Sequence, residues 1–405
     1  MKIKCCRICK KKKLKTLFSL GNLSFTGKFP SKNQQIKKKP ITLIICKNCD
    51  LVQLGHNFDL KYLYGPDYGY RTGINKTMIN HVSAVVKDLS KKTKLKKNDF
   101  VLDIASNDGS LLNFYKKNIK TFGIDPILEK YKVKYKKINF KIADFFSAKK
   151  ILKITKKKFK IITALSVFYD SANPNEFIKD VKKILSPDGI FLLEFADLAS
   201  IIKYRMFDTI CHEHLEYYSS NIINNLCREN HLKIFDININ NINGGSKQYL
   251  ICHKESNYKI KEKKIYKILN SEKKLKLSSE KTFKNFINII NKSKHELNLF
   301  IRKANNFGKT IHGYGASTKG NVLLQYYKID NRMIKYVAER NKNKYELYTP
   351  GTKIKIISET LSRSYKPDYY LVLPWHFKKE ILHREKEIRK KGTKFIFPLP
   401  KLSIN

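Results

Sequence analysis

Four cysteines near the amino terminus form two pairs with the same spacing, Cys6 with Cys9 and Cys46 with Cys49. Each Cys-x-x-Cys turn places two thiolates on one side of the chain, and the two turns together can supply the four ligands of one tetrahedral Zn(II) ion. Four protein ligands leave no open coordination position, so the pattern predicts a structural zinc site. A cluster of free thiols is the alternative, and the neighbouring Cys5 could replace Cys6 only with a different spacing.

A second group of residues has the pattern of a nucleoside-binding site. The segment 101–112 reads as a strand, a tight loop and a helix, whose free N–H groups can bind a ligand. The next two strands end in acids, of which the first suits ribose hydroxyls and the second could bind an adenine amino group. The loop lacks a full G-x-G-x-x-G, which weighs against a dinucleotide, and an ordinary capped β/α turn is the alternative. The candidate ligands are Asp103, Ser106, Asn107, Asp108, Gly109, Asp125 and Asp144.

The segment 207–219 is dense in titratable groups and includes His212, Glu213 and His214. It follows a predicted strand that ends at Glu194, so we expect it near the edge of the sheet where ligands bind. There a histidine can act as a general base near neutral pH, oriented by a neighbouring carboxylate. Two other interpretations stay open: the histidines could bind a metal, or they could be buried structural residues. In an extended segment both histidines would share one face and Glu213 would take the other.

Two glycine-rich turns also permit close approach of a ligand. Gly244, Gly245 and Ser246 precede a predicted strand, where a turn without side chains leaves room beside the backbone. The segment 313–321 combines glycines and hydroxyl groups with Lys319 at a predicted helix start, which is typical of a diphosphate site. A hairpin turn and a plain β/α turn are the respective alternatives.

These residues need a scaffold, and the hydrophobic pattern predicts one. Apolar strand-like runs alternate with helical patterns over 97–253 and again over 309–397, which argues for parallel sheets with helices on both faces. A helix is expected from Asn75 towards Leu89. We therefore predict an α/β protein with four parts: a zinc module over 1–60, a Tyr-rich connector and central Rossmann-like domain over 61–255, a helical linker over 256–306, and a second doubly wound α/β domain over 307–405.

The net charge of +49 is the most unusual property of the composition. The lysines are spread over the whole chain beside many Asn and Ile residues, whereas a nucleic-acid site needs a localised basic stripe with interleaved aromatics. We therefore expect no nucleic-acid partner and attribute the charge to a compositional bias. The chain has neither an apolar run of membrane-spanning length nor a secretory start, so we expect a cytoplasmic protein without a membrane partner.

Taken in order, the motifs resemble those of the nucleotide-sugar C-methyltransferases that act on 4-keto-6-deoxyhexoses. The resemblance extends from Cys6 to Pro400 and covers the paired cysteines and the motifs YGYRTG at 68–73, SNDG at 106–109, HEH at 212–214, NGGS at 243–246, GYGASTKG at 313–320, YTPGT at 348–352 and LPWHF at 373–377. It implies a zinc module, a central methyltransferase domain that uses S-adenosylmethionine, and a C-terminal domain that helps to hold a nucleotide sugar. A monomer or small homo-oligomer is expected.

The resemblance also implies residue roles. His214, the last residue of the HEH motif, would be the catalytic base with Glu213 assisting, and would remove the proton next to the ketone so that the enolate carbon takes the methyl group. Cys211 stands where some relatives have a tyrosine that is thought to contact the sugar. The substrate-binding candidates are Tyr68, Tyr70, Cys211, Gly244, Gly245, Ser246, Tyr314 and Lys319. O-methylation of a sugar acceptor and, from the charge alone, RNA methylation are the alternative functions.

Overall fold

The computed structural model describes residues 1–65, 68–128 and 138–405, and the predicted α/β fold class is confirmed. In this part of the chain, the strands form a four-stranded, a seven-stranded and a six-stranded sheet. Residues 66 and 67 of the predicted Tyr-rich connector lie outside the described residues. Within the described ranges, no helix has both the length and the apolar character that a membrane crossing requires.

The amino-terminal sheet is antiparallel and contains strands β1 (Leu14–Ser24), β2 (Lys38–Cys46) and β3 (Val52–Leu54). The register of β1 against β2 pairs Leu14 with Cys46. Because β1 begins just after the first cysteine pair and β2 ends at the second, this register places the two pairs side by side.

Two helices lead from this module to the central sheet, α1 (Leu60–Leu63) and α2 (Lys76–Lys92). The predicted helix from Asn75 is confirmed, and Asn75 is its N-cap residue. The buried residues of α2 recur every three or four positions, which makes one apolar stripe along the helix. They are Met78, Val82, Val85, Val86 and Leu89.

The seven-stranded sheet contains five adjacent parallel strands that extend to one edge: β4 (Phe100–Ile104), β5 (Lys120–Ile124), β6 (Phe140–Ile142), β7 (Phe159–Leu165) and β8 (Leu185–Phe195). The chain order reverses between β4 and β7, which is where open α/β sheets form a binding crevice. The short strand β9 (Glu216–Tyr217) then leaves this unit and pairs with β3. The residues directly after His214 are thereby joined to the amino-terminal module.

The other edge of the sheet differs from the prediction. Strands β10 (Leu232–Asn240) and β11 (Ser246–His253) are antiparallel to each other, and β11 is antiparallel to β8. The expectation of an entirely parallel sheet is therefore wrong at this edge. The five residues between β10 and β11 allow only a hairpin, because a parallel crossover needs about a dozen or more residues.

The prediction of a helix after the loop 106–109 is also wrong, because only a 3-10 turn over Leu112–Phe114 follows this loop. Ala105 and Asn107 have positive φ angles, and the side chain of Asp108 accepts hydrogen bonds from both the N–H and the hydroxyl of Ser110. Such local side-chain bonds compete with a regular helix start. The remaining helices of this half are α3 (Ala148–Ile154), α4 (Pro174–Ile184), α5 (Leu198–Lys203) and α6 (Ser220–Glu229).

The segment proposed as a helical linker contains α7 (Glu262–Lys274) and α8 (Glu280–Asn306). The rings of Phe283 and Phe286 on α8 contact Phe18 of β1. The buried stripe of α8 belongs to a single apolar core that also contains residues of the amino-terminal module and the C-terminal unit. α8 is thus a packed element on which both of these parts rest.

The C-terminal unit has five parallel strands and one antiparallel edge strand in the order β14-β13-β12-β15-β16-β17. The chain order reverses between β12 and β15, so this sheet has a crevice of the same kind. The strands are β12 (Ile311–Tyr314), β13 (Tyr336–Glu339), β14 (Lys355–Ser358), β15 (Tyr369–Val372), β16 (Lys394–Phe397) and β17 (Ser403–Ile404). The helices are α9 (Thr318–Tyr327), α10 (Glu359–Ser364), α11 (Lys378–Arg384) and α12 (Lys386–Lys390).

Candidate active site

A cavity of about 470 Å³ is lined by residues from all three parts of the chain. The carboxyl ends of β4, β5 and β8 contribute Asp103, Asp125 and Glu194, and the amino-terminal module contributes Phe29. Residues from the carboxyl ends of β12 and β13 close the opposite side. The cavity therefore lies at the edges where both parallel sheets are expected to bind ligands.

One side of the cavity carries most of the predicted cofactor residues: Asp103, Ser106, Asn107, Asp125 and Asp144. Asp125 accepts the backbone N–H of Asn107 at 2.9 Å with one oxygen and that of Ile127 at 2.9 Å with the other. Burial raises the pKa of Asp125, and it raises the pKa of Asp103 to about 7. Two adjacent strand ends thus present carboxyl groups to one side of the cavity.

Asp144 has a different environment, because its side chain is half-exposed and pairs with Lys150 at 2.7 Å. The hydrogen bond from Lys150 lowers the pKa of Asp144. Asp144 is therefore an ionised hydrogen-bond acceptor, which is the state that a contact to an adenine amino group needs.

The loop that contains Asn107 and Asp108 binds the Tyr-rich connector. The amide oxygen of Asn107 accepts the N–H of Thr72 at 3.0 Å, and a carboxylate oxygen of Asp108 accepts the N–H of Gly73 at 3.0 Å. Asp108 and Gly109 are not among the described residues that line the cavity. Since these partners are more than 30 residues apart in the chain, the spacing of the two motifs alone could not show that they meet.

His214 lines the cavity, and its ring packs against Tyr169 with 4.1 Å between the ring centroids. Its Nδ1 lies 2.7 Å from the carbonyl oxygen of Thr209. A carbonyl can only accept, so Nδ1 carries the hydrogen and Nε2 keeps a free lone pair. Burial, together with a smaller effect of the positive charge of Lys319, lowers the pKa of His214 to about 3. The imidazole is therefore in its neutral form near neutral pH, which is the form that a general base needs before proton transfer.

The two histidines of the HEH motif lie in different places, because the segment turns between them instead of extending. The N–H of His214 donates to the carbonyl of Cys211 at 3.3 Å, which closes this turn. Nε2 of His212 lies 3.1 Å from the carbonyl oxygen of Lys39, and its ring packs between Phe25 and Phe58. Among the described residues, His212 does not line the cavity, and the group with metal-site geometry includes neither histidine.

Glu213 lines the cavity beside His214. Its oxygens accept the N–H of Gly27 at 3.1 Å and the hydroxyl of Thr26 at 3.3 Å, and burial raises its pKa. A Cβ atom at position 27 would lie 2.6 Å from the Glu213 carboxylate, so this approach requires glycine. The amino-terminal module thus holds a candidate catalytic residue directly, which no motif in residues 24–28 indicated.

The predicted substrate residues divide into two groups. Tyr68, Tyr70, Tyr314 and Lys319 line the cavity. The ammonium group of Lys319 donates to the carbonyl of Asn243 at 2.9 Å, and burial lowers its pKa. Among the described residues, the following do not line the cavity: Cys211, Gly244, Gly245 and Ser246.

The glycine turn before β11 supports the cavity wall from behind. Gly244 has a φ of 95°, and a Cβ atom there would lie 2.7 Å from both Met206 and Trp375. The hydroxyl of Ser246 donates to the carbonyl of Ile242 at 2.9 Å. These residues allow close packing against the LPWHF motif, whereas their neighbour Asn243 reaches the cavity.

Sequence reasoning missed several charged residues of the cavity. Four further basic side chains, Arg71, Arg340, Lys344 and Arg384, lie in its wall with Lys319. Asp170, Tyr64 and His376 line it as well. The basic residues come from four separate segments, so no local charge cluster marked them in a chain that is rich in lysine throughout.

The four predicted metal ligands come together in the amino-terminal module. The sulfur atoms of Cys6 and Cys49 are 3.6 Å apart, those of Cys9 and Cys46 are 3.5 Å apart, and all four lie within 4.8 Å of one another. Tetrahedral Zn(II) with thiolate bonds of about 2.3 Å separates its sulfur ligands by about 3.8 Å. Cys5 is not part of this group. The arrangement therefore fits the predicted ion.

The backbone of both cysteine turns has the same form. The N–H of Lys10 donates to the carbonyl of Cys6, and the N–H of Asp50 donates to the carbonyl of Cys46. Lys10 and Asp50 have φ angles of 60° and 59°. Two matched turns of this kind direct their thiolates to one point, which is the requirement for a shared metal ion.

A Rossmann-like central sheet with acids at adjacent strand ends defines the class of the protein, an α/β protein with a nucleoside-binding type of site. Three family models match the chain: a zinc binding domain over residues 6–64, a methyltransferase domain over 74–236 and a C-methyltransferase C-terminal domain over 241–400. These matches identify a methyltransferase that uses S-adenosylmethionine, with a zinc-binding module before the methyltransferase domain and a C-methyltransferase C-terminal domain after it. The resemblance predicted from the motifs is thereby confirmed.

One curated relative and two solved structures are similar to this chain. The C-methyltransferase NovU of Streptomyces niveus is 25% identical over 401 residues, which are 98% of this chain and 95% of NovU. Among solved structures, the N-methyltransferase NodS of Bradyrhizobium japonicum WM9 is 15% identical over 48% of this chain and 97% of its own, with a TM-score of 0.37. An S-adenosylmethionine-dependent methyltransferase of Clostridium acetobutylicum ATCC 824 is 15% identical over 43% and 92%, with a TM-score of 0.35.

Proposed function

We propose that this enzyme methylates a nucleotide-linked keto-deoxysugar at the carbon next to the ketone, through an enolate that His214 forms. The observation that carries the proposal is the neutral imidazole of His214 in the wall of a cavity with two different sides. Carboxyl groups suited to a nucleoside line one side, and basic side chains suited to a diphosphate line the other. A carbon acid between them would meet both the base and the methyl donor.

The residues that would hold S-adenosylmethionine are Asp103, Ser106, Asn107, Asp125 and Asp144, with Asp108 and Gly109 shaping their loop. Each oxygen of Asp125 already accepts one backbone N–H, and a carboxylate oxygen has capacity for a second hydrogen bond. The oxygens of Asp125 can therefore accept hydrogen bonds from the ribose hydroxyls. When bound, S-adenosylmethionine supplies an electrophilic methyl group at its sulfonium.

The other side of the cavity would bind the sugar nucleotide. Lys319, Arg340, Lys344 and Arg384 supply positive charge for a diphosphate, while Tyr68 and Tyr70 would cover the sugar. Glu213, held by the amino-terminal module, would assist by shaping the site beside His214. His214 would take the proton on Nε2, since its Nδ1 hydrogen is directed at Thr209.

The four-cysteine group would bind one structural Zn(II) ion. Its thiolates are within the separations that tetrahedral zinc needs, and the module it closes holds Glu213. A zinc–thiolate site requires reduced cysteines, so we place the enzyme in the cytoplasm.

The proposed reaction can be tested by mass spectrometry with a panel of nucleotide-linked keto sugars and methyl-labelled S-adenosylmethionine. We expect one labelled methyl group on the sugar of the correct substrate, and NMR should show it on carbon. A methyl group on oxygen would instead establish the O-methyltransferase alternative. Labelled RNA without any labelled sugar would support the RNA methyltransferase alternative.

Replacing Asp125 with Ala is expected to weaken binding of S-adenosylhomocysteine by about 10- to 100-fold, the loss of one or two hydrogen bonds to a charged group. Affinity for the sugar nucleotide should change little, because Asp125 lies on the opposite side of the cavity. Calorimetry with each ligand measures the difference. Asp188→Ala serves as the control, since Asp188 is an exposed residue of β8 paired with Lys160. Unchanged affinity for S-adenosylhomocysteine would contradict the assignment of Asp125.

A further inference from the structure

Asp170 is a buried acid of the cavity that the proposed mechanism has not used. It ends the 3-10 turn Phe168–Asp170, which follows β7. One carboxyl oxygen accepts the hydroxyl hydrogen of Tyr64 at 2.6 Å. The other, Oδ1, is buried and has no hydrogen-bond partner among the described residues. A buried polar atom without a hydrogen-bond partner costs free energy, so we expect an atom of a ligand to form a hydrogen bond with it.

The surroundings of Asp170 favour its uncharged form. Burial is the largest effect and raises the pKa of Asp170 well above its usual range. The hydrogen bond from Tyr64 opposes it, and the acids Glu213 and Glu216 add smaller effects that raise the pKa. Among the described residues, no lysine or arginine pairs with it. The titratable groups that interact with Asp170 are Tyr64, Tyr68, Tyr169, Cys211, Glu213, Glu216, Tyr217 and Tyr218.

The same turn is joined to the catalytic segment. The N–H of Leu215, the residue after His214, donates to the carbonyl of Tyr169 at 2.7 Å. The Tyr169 ring packs on the His214 imidazole. Asp170 and His214 therefore belong to one connected wall of the cavity, because Tyr169 precedes Asp170 and contacts the histidine segment.

We propose that Asp170 is a catalytic residue that donates a hydrogen bond from its carboxyl group to the oxygen of the substrate ketone and of the enolate formed from it. This inference rests on the proposed function. Tyr64 donates to the carbonyl oxygen of the same group, which leaves the acidic hydrogen on Oδ1, the buried oxygen without a partner among the described residues. An uncharged acid of this kind can stabilise an enolate without a cation.

The proton balance of the step is simple. The hydrogen on the carbon next to the ketone passes to Nε2 of His214, and the electron pair of that C–H bond becomes the carbon–carbon double bond of the enolate. The former ketone oxygen takes the negative charge, and the hydrogen bond from Asp170 strengthens there. Asp170 keeps its proton. When the enolate carbon forms its bond to the methyl group, the methyl–sulfur bond of S-adenosylmethionine would break, and its electron pair would stay on the sulfur of S-adenosylhomocysteine. The oxygen then becomes a ketone again and His214 releases the proton to solvent.

Lys319 is the rival for this role, because it is also buried in the cavity wall. Its ammonium group already donates to the carbonyl of Asn243, and burial lowers its pKa. We therefore assign Lys319 to the substrate anion and Asp170 to the ketone oxygen. The two assignments predict different responses to substitution.

The test compares Asp170→Ala, Asp170→Asn and Lys319→Met by two rates, exchange of the substrate proton in deuterated water and methyl transfer. We expect Asp170→Ala to lower kcat for both by about 100- to 1,000-fold, the usual effect of removing one such donor. Asp170→Asn keeps an N–H donor, so its kcat should fall less than that of Asp170→Ala. Asp236→Asn is the matched control, since Asp236 is a buried acid of β10 paired with Lys261 and Lys264.

A second measurement does not need the substrate. Infrared difference spectra of the free enzyme at neutral pH should show the carbonyl stretch of an uncharged carboxyl group that Asp170→Asn lacks. An ionised Asp170 in that spectrum would overturn the proposal. So would normal kcat in both Asp170 variants, or a loss confined to KM, which would make Asp170 a plain binding residue. A large loss in Lys319→Met alone would assign the ketone contact to Lys319.

Failure of the proposed function gives a different result. If the wild-type enzyme exchanges no proton and transfers no methyl group with any keto sugar, the proposed reaction is wrong and the role of Asp170 falls with it. If the wild-type enzyme is active and the Asp170 variants match it, only the inference about Asp170 is wrong.

Discussion

Replacing His214 with Asn should lower both substrate proton exchange and methyl transfer by about 100- to 10,000-fold, the usual contribution of a general base. The amide of Asn can still donate to the Thr209 carbonyl, but it offers no basic nitrogen to the cavity. Binding of S-adenosylhomocysteine and of the sugar nucleotide should persist, which calorimetry can establish. NMR in deuterated water follows the exchange, and mass spectrometry follows the methyl group.

His212→Asn is the control for this experiment. His212 is buried between Phe25 and Phe58 and does not line the cavity, so its replacement should affect stability more than rate. The reverse result, with turnover normal in His214→Asn and abolished in His212→Asn, would exchange the two roles. If neither change slows proton exchange, the base lies elsewhere, and the tyrosines of the 64–70 segment become the next candidates.

The His214 variant has a second expected readout in the pH dependence of stability. The folded protein holds His214 with a pKa of about 3, whereas an exposed histidine has a pKa of 6.5. Between pH 6.5 and 3 the unfolded chain therefore binds a proton at this histidine, whereas the folded chain does not. The free energy of unfolding consequently falls as the pH drops through this range. His214→Asn should remove this part of the pH dependence.

Replacing Cys46 with Ser should release the zinc ion and unfold the amino-terminal module. Cys46 is fully buried at the end of β2, and its sulfur lies 3.5 Å from that of Cys9. Structural zinc sites of this type contribute about 10–16 kcal/mol of binding free energy, which is coupled to local folding. Activity should fall too, because Thr26 and Gly27 of this module hold Glu213.

Elemental analysis and thermal unfolding check this prediction together. Wild-type protein purified without chelator should contain about one zinc per chain, and Cys46→Ser should contain almost none and melt at a lower temperature. Cys5→Ser is the matched control, since Cys5 lies beside Cys6 but outside the four-sulfur group. Wild-type protein that contains no zinc would contradict the prediction.

Local patterns in the sequence were sufficient for the fold class and for several elements. The stripe of α2 repeats with the helical period, the apolar runs at β4 and β7 have strand length, and matched Cys-x-x-Cys spacings specify the same turn twice. Each of these features depends on residues within a few positions of one another. The backbone geometry of a turn, helix or strand is set at that range, so the sequence predicts it.

Contacts between segments that are distant in the chain could not be predicted from such local patterns. The antiparallel edge β10–β11 was not predicted, although the short loop explains it. The partner of β9 could not be predicted either, because β9 has only two residues and pairs with a strand about 160 positions earlier. The same holds for the contacts from Asn107 and Asp108 to Thr72 and Gly73. Sequence motifs located both loops without showing that they touch.

The chemical state of the site depends on the tertiary structure for an electrostatic reason. His212 and His214 are identical residues two positions apart, and only the turn between them directs one to the Lys39 carbonyl and the other into the cavity. Asp170 gave no signal in the sequence, since an acid after a strand is common. Its raised pKa arises because folding removes water from it and, among the residues that the structure describes, pairs it with no cation. Desolvation is a property of everything packed around a group, so it exists only once the distant segments have come together.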